Sequence, residues 1–303
     1  MAPVGVVDVG GGHVAAGLVV AGGLVAERRT RVDPHAALRD LLPRLTAPAV
    51  QLALDADAAG RPVPEHWAVA LPGPFDYDAG HGSFAGVDKF ASLSGVDLRA
   101  SCAEALGTPP SSVRYVNDAV AYAVGEWSAG AGSTAERLLC LTLGTGVGSA
   151  FLADGRPVSD GDDVPRDGDV HTLAIDGRPL EESVSTPALR ARFEARTGHD
   201  RTVEEICALA RDGDAAAAEV VTTAFAALGR AVGPWARRFG AETVVVGGGV
   251  ARSWDVVGPP LARGLRDGAG DGTGDPEARP SVVPAALGDQ APLLGAAAWT
   301  LRG

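Results

Sequence analysis

The sequence predicts an α/β protein built from two related domains. Three observations lead there. The chain has 303 residues, about twice a typical domain, which is enough for two medium domains or one large one, each with its own core. Short apolar runs that read as buried strands alternate with longer Ala- and Leu-rich stretches of helical spacing. A unit of strand, glycine-rich turn and strand at 4–20 recurs at 138–152, the mark of a duplicated architecture.

Residues 4–8 (Val-Gly-Val-Val-Asp) are a short apolar run closed by a carboxylate. Gly10, Gly11 and Gly12 follow, then a second run from Val14 to Val20, then Gly22-Gly23 and a third from Leu24 to Arg28. This is an antiparallel meander. Leu38, Leu41, Leu42 and Leu45 predict a helix over 34–58. His66–Leu71 reads as a strand running into the stiff Pro72-Gly73-Pro74 turn. A helix is expected over 98–106 and a strand over 113–116 that ends in Asn117-Asp118. In the second half, Arg137–Leu143 is a buried strand, 144–148 a glycine turn and Ser149–Leu152 a strand. Helices are expected at 186–197, 202–211 and 214–239, and a strand over 242–246 closed by Gly247, Gly248 and Gly249. The Gly- and Asp-rich stretch 267–279 reads as a surface loop, and 290–301 as a terminal helix.

Composition mainly excludes. The chain is 46% hydrophobic and 21% charged, with a formal net charge of -12. That acidity argues against nucleic acid or an anionic membrane as partner. The apolar runs are short and broken by Gly, so no membrane span of ~20 residues is expected. Cys102, Cys140 and Cys207 are far apart, which excludes a disulfide framework or a local zinc site. The N-terminus shows no basic region followed by an apolar one, so a cytoplasmic location is expected. With 41 Gly, 21 Pro and one lysine among 26 basic residues, the composition reflects a high-GC codon bias.

The placement of the glycines says more than their number. Each of the three clusters follows an apolar strand, where exposed N–H groups form anion-binding concavities. They also serve as plain hairpin turns. Neither a G-x-x-x-x-G-K-[ST] loop nor a helix-opening G-x-G-x-x-G is present, which disfavours P-loop and dinucleotide enzymes.

In order along the chain, six segments resemble the ROK family of sugar kinases: Asp8-Val-Gly-Gly-Gly12, Leu71-Pro-Gly-Pro74, Asn117–Glu126, Leu143-Gly-Thr-Gly-Val-Gly148, Val246-Gly-Gly-Gly-Val-Ala251 and Leu287–Ala297. The resemblance implies the two-domain actin-like ATPase (ribonuclease H-like) fold with a ligand cleft between the domains. It divides the chain into a smaller domain over 1–116, onto which a terminal helix at 288–303 packs back, and a larger one over 117–287. It implies ATP and Mg²⁺, a sugar substrate, and the assembly states of the family, often dimers or tetramers, so a homodimer is open.

Residue by residue, the resemblance makes Asp118 the general base that takes the proton of the attacking hydroxyl. Asn117-Asp118 is also suited to capping the helix that follows. Asp8 matches the family aspartate near Mg²⁺ and the phosphates, held through water or phosphate. Gly10, Gly11 and Gly12 match the first phosphate loop; Gly144, Thr145 and Gly146 the second; Gly247, Gly248 and Gly249 the loop beside the adenosine. Gly12 and His13 stand where the family usually has Thr and often Lys. Gly73, Asn117, Asp118, Asp169, His171 and Glu181 are the expected sugar ligands. Gly86-Val87-Asp88 matches another sugar-lining segment, while Asp88 and Lys89 themselves read as solvated loop. The family's cysteine-rich zinc loop is missing between Thr172 and Leu180, so no zinc site is expected.

The function expected is an ATP-dependent kinase acting on the primary hydroxyl of a hexose or hexose-like sugar, including an amino sugar such as kanosamine in antibiotic biosynthesis. The alternatives are a glucokinase of central metabolism and a non-catalytic sugar-binding or regulatory member.

Overall fold

The computed structural model describes residues 2–84, 89–269 and 280–302. Packing divides the chain into Met1–Gly125 with Asp289–Gly303, and Glu126–Gly288.

The first unit comprises β1 (Val4–Val9), β2 (His13–Val20), β3 (Gly23–Arg31), α1 (Leu38–Ala58), β4 (His66–Leu71), the short ribbon β5 (Phe75–Asp76) and β6 (His81–Gly82), α2 (Leu98–Leu106), β7 (Val113–Asn117), the start of α3 (Asp118–Ala129) and the terminal helix α9 (Ala291–Arg302). The sheet runs β3-β2-β1-β4-β7. β1 pairs antiparallel with β2 and parallel with β4, β2 antiparallel with β3, and β4 parallel with β7. Every residue of β1 is buried, as its unbroken apolar run requires of a strand covered on both faces. β3 is apolar over Leu24, Val25 and Ala26, polar from Glu27 to Arg31, and forms the edge. Val7, Val9, Trp67 and Val69 pack with Leu41 and Leu45 of α1 and Leu98 of α2. Val4, Val6, Ala68 and Ala70 pack with Ala121 of α3 and Leu293, Ala296 and Ala297 of α9. A Cβ on Gly125 would collide with the Ala291 carbonyl and one on Gly295 with that of Ala121, so close approach of α3 and α9 requires glycine at both crossings. This packing carries the division between the units into α3, whereas the resemblance implies a boundary at 116/117.

The second unit comprises β8 (Arg137–Leu143), β9 (Val147–Ala153), β10 (Arg156–Pro157), the ribbon β11 (Ala174–Ile175) and β12 (Arg178–Pro179), α4 (Glu181–Val184), α5 (Thr186–Thr197), α6 (Val203–Arg211), α7 (Ala215–Phe239), β13 (Thr243–Gly247), α8 (Trp254–Ala269) and β14 (Ser281–Pro284). Its sheet runs β10-β9-β8-β13-β14, with β8 antiparallel to β9 and parallel to β13. The pairing sequence of the first sheet is thus repeated, strand for strand. Side chains mark the helix starts: Ser185 caps α5, Asp214 caps α7, and Thr202 with Glu205 forms a capping box at α6.

α7 is long and apolar enough to cross a membrane by length and composition alone. Its Val220, Ala224, Phe225, Leu228 and Val232 are buried in the core of the second unit, the pattern of a central core helix. α8 and β14 were not predicted. Pro259 and Pro260 disguise α8, although Val257, Leu261 and Leu265 form a buried helical stripe. α1 begins at Leu38, not at residue 34, because residues 33–36 form a turn whose Pro34 carbonyl accepts from the Phe90 N–H at 2.8 Å. Of the expected 267–279 loop, 267–269 belong to α8 and the remainder lies outside the described residues.

Candidate active site

In the first unit the predicted residues collect where parallel strands end. Asp8 is the penultimate residue of β1, Gly73 follows β4, Asn117 ends β7 and Asp118 opens α3. The carboxyl ends of parallel strands are where open α/β sheets bind ligands. Asp8 is buried, 9% exposed, between Ala15 of β2 and Ala70 of β4. Burial pushes its carboxyl up to about 7; the negative charges of Asp118 and Asp289 add to this, and the Arg29 guanidinium opposes it. A buried carboxyl with two acidic neighbours is stabilised in its ionised form by a cation.

Beside it, the Gly10 N–H donates to the His13 carbonyl at 2.9 Å and closes the first glycine turn. The His13 ring lies over Gly10, with Cε1 2.8 Å from where a Cβ would stand. Burial, then Arg29, holds the His13 imidazole below the ordinary histidine range, so it is neutral at pH 7. A Cβ on Gly12 would meet nothing within 4 Å, so the place of the family's threonine is open space. Lys89, read from sequence as solvated, is half-buried, with Nζ 3.1 Å from the Cβ position of Gly11. Gly86, Val87 and Asp88 lie outside the described residues.

Asn117 is largely committed within the fold. Its Oδ1 accepts from the N–H groups of Ala119 (2.9 Å) and Val120 (3.1 Å), capping α3, and its Nδ2 donates to the Tyr77 hydroxyl at 3.0 Å. The Tyr77 hydroxyl donates to the Leu71 carbonyl at 3.1 Å and lies 3.6 Å from the Cβ position of Gly73. Tyr77 therefore ties the Gly73 turn to the Asn117-Asp118 pair. The Asp118 carboxylate accepts from the Ala119 N–H at 2.9 Å, at the positive end of α3.

In the second unit the other two glycine clusters also sit at strand ends. Gly144, Thr145 and Gly146 link β8 to β9, with the Gly144 N–H donating to the Gly146 carbonyl at 3.0 Å. Glu181 lies against this turn. Its Oε1 accepts from the Val147 N–H at 2.9 Å, and a Cβ on Gly146 would collide with it. Gly247, Gly248 and Gly249 follow β13. Gly248 has φ 83°, and a Cβ there would strike the Leu143 backbone, so only glycine lets this loop close on the end of β8. Asp169 and His171 are half-exposed, with Nδ1 of His171 3.8 Å from Oδ1 of Asp169. Burial raises the Asp169 carboxyl and His171 partly opposes that. The buried Ser149 hydroxyl fixes their segment, donating to the Gly168 carbonyl at 2.7 Å and accepting from the Val170 N–H at 3.0 Å. Among the described residues no contact joins His171 to Glu181, and no group of three or more His, Cys, Asp or Glu side chains is arranged to hold a metal ion.

Sequence reasoning missed Arg29, Asp289, Tyr77 and Ser149. Arg29 sits on an edge strand and donates to the Asp289 backbone carbonyl at 3.2 Å across 260 residues, a pairing no local pattern reveals. Ser149 was legible only as a polar break in the apolar β9.

The chain is similar to proteins already characterised. The glucokinase of Thermotoga maritima is 26% identical over 315 aligned positions, covering 96% of this chain and 95% of that protein. The crystal structure of a ROK hexokinase from Thermus thermophilus matches with a TM-score of 0.75 at 26% identity, over 97% of this chain and 96% of that one. That of a ROK family glucokinase from Streptomyces griseus in complex with glucose and AMPPNP matches in fold with a TM-score of 0.79 at 23% identity, over 99% and 100%. The ROK family pattern itself matches residues 4–302. With two sheets of one strand order, a glycine turn at each central hairpin and a match over nearly its whole length, this chain belongs to the ROK family and has its actin-like ATPase fold.

Proposed function

We propose that the protein is an ATP-dependent sugar kinase that transfers the γ-phosphoryl group to the primary hydroxyl of a hexose-like substrate. The observation that carries this reading is the Asp8–Asp118 pair: a helix-opening carboxylate acting electrostatically on a buried one beside an open glycine turn. Asp118 accepts the proton as the sugar oxygen bonds to the γ-phosphorus and the bond to the ADP oxygen breaks. Its position at the α3 N-terminus favours the ionised form needed to begin. Asn117 and Tyr77 hold Asp118 and the Gly73 turn in register. Asp8 would hold Mg²⁺ with water or phosphate oxygens completing the shell, as this cation prefers; bound there, it offsets phosphate charge. The Gly144–Gly146 and Gly247–Gly249 turns would receive phosphate and adenosine.

The relatives named glucokinase and hexokinase support a hexose. Asp169, partly buried and raised in pKa, favours a substrate with a positive charge nearby, so we propose an amino sugar such as kanosamine, in antibiotic biosynthesis, over glucose. Coupled-assay ADP release with a panel of hexoses, amino sugars and cyclitols tests both statements. Asp118→Asn is expected to lower kcat by about 10²–10⁴ with little change in melting temperature. Absence of turnover on every sugar refutes the kinase, and a preference for glucose over all amino sugars refutes the narrower assignment.

A further inference from the structure

We infer that Lys89 is the phosphate-binding cation of the first glycine turn, gripping a phosphoryl oxygen of the nucleotide together with the Gly11 and Gly12 N–H groups. This rests on the phosphoryl-transfer reading and adds to it a residue that the motifs do not contain.

Three observations carry it. First, the side chain lies along the turn: Nζ, Cε and Cδ are 3.1, 3.6 and 3.7 Å from the Cβ position of Gly11. The placement is anchored. Phe90, next in the chain, is 2% exposed in the core, adopts a left-handed φ of 61° and donates its N–H to the Pro34 carbonyl at 2.8 Å. The Val32 N–H in turn donates to the Gly12 carbonyl at 3.2 Å, so the turn, the 32–36 segment and residue 90 form one connected patch. Second, the donors of the turn are unengaged within the fold. Among the described residues neither the Gly11 nor the Gly12 N–H meets an acceptor, Lys89 makes no ion pair, and the space above Gly12 is open. Unpaired backbone N–H groups with an ammonium alongside form an anion nest. Third, among the described residues no other cation serves the turn. His13 is neutral at pH 7, and Arg29 is engaged by Glu27 at 2.6 Å and by Asp289. A phosphate oxygen arriving over Gly11 would find Lys89 as its counter-charge, a compact and mobile point charge suited to a group that changes geometry during transfer.

The test is calorimetric binding of inorganic tripolyphosphate and of AMPPNP to the full chain, alongside steady-state kinetics, for wild type, Lys89→Met, Lys89→Gln and Lys89→Arg, with melting temperatures as a folding check. Lys89→Met and Lys89→Gln are expected to weaken tripolyphosphate binding and raise the KM for ATP about tenfold or more, leaving the sugar KM within about twofold. Lys89→Arg is expected to recover most of the loss, and the wild-type advantage to shrink with added salt. Unchanged tripolyphosphate affinity in folded Met and Gln variants, or a change confined to the sugar KM, overturns the assignment. Wild-type protein that phosphorylates no sugar yet binds tripolyphosphate in a Lys89-dependent way refutes the kinase reading and leaves Lys89 standing.

Discussion

The two central hairpins share a strand order and differ in where they keep their carboxylate. In the first, Val9 pairs with Val14 and Asp8 with Ala15; in the second, Leu143 pairs with Val147 and Thr142 with Gly148. Thr142 therefore stands where Asp8 stands. The first turn has an acid buried behind it in the strand and a lysine above it. The second has a neutral strand end, and its carboxylate, Glu181, comes from a helix and grips the turn through the Val147 N–H. One scaffold thus gives a turn backed by a buried carboxyl and another whose carboxylate is spent on holding backbone. The difference follows from the partners: Asp8 has acidic neighbours, whereas Glu181 has a backbone donor.

The contrast breaks first at the strand position. Asp8→Asn should reduce kcat/KM by about 10²–10³, whereas Thr142→Ala should cost less than about tenfold. Equal losses in the two variants would show that both turns bear on transfer alike.

A second difference appears in stability. The Asp8 carboxyl titrates near 7 in the folded chain and in the ordinary range near 3.8 when unfolded, so the folded state holds an extra proton between those values. Its stabilising contribution is full below the unfolded pKa and is lost as pH rises towards 7 and beyond. Three pKa units correspond to at most about 4 kcal/mol. In metal-free buffer the melting temperature of wild type relative to Asp8→Asn should therefore fall between pH 5 and pH 8. A difference that is flat or rises with pH would mean that Asp8 is already compensated in the fold.

The smallest effect concerns Glu181. Glu181→Ala leaves the Val147 N–H unpaired and should cost about 1–2 kcal/mol in thermal or urea unfolding, while Glu181→Gln keeps an acceptor and should cost less. If both variants raise the sugar KM without altering stability, Glu181 serves the sugar alone.

Much of this was legible in sequence for a local reason. β1, β4, β8 and β13 are apolar runs too short for anything but buried strands. The glycine turns close them, and Ser185, Thr202 and Asp214 announce the helices they cap. The duplicated hairpin fixes the strand order in outline. Where the pattern misled, nearby chemistry was ambiguous: Pro259-Pro260 hid α8. Asn117, which the sequence offers both as a sugar ligand and as a helix cap, spends its carbonyl oxygen on two backbone N–H groups of α3.

The sequence by itself therefore determined the elements, the turns and the acids at strand ends, because hydrophobic period, glycine conformation and capping act within a few residues. Tertiary structure alone decided which charges meet. Asp8 feels Asp118, Arg29 and Asp289 from three distant segments, Lys89 reaches Gly11 through an anchored neighbour, and Glu181 finds Val147 across 34 residues of chain. Electrostatics and close approach depend on distance in space, and only the packed sheets bring those residues near.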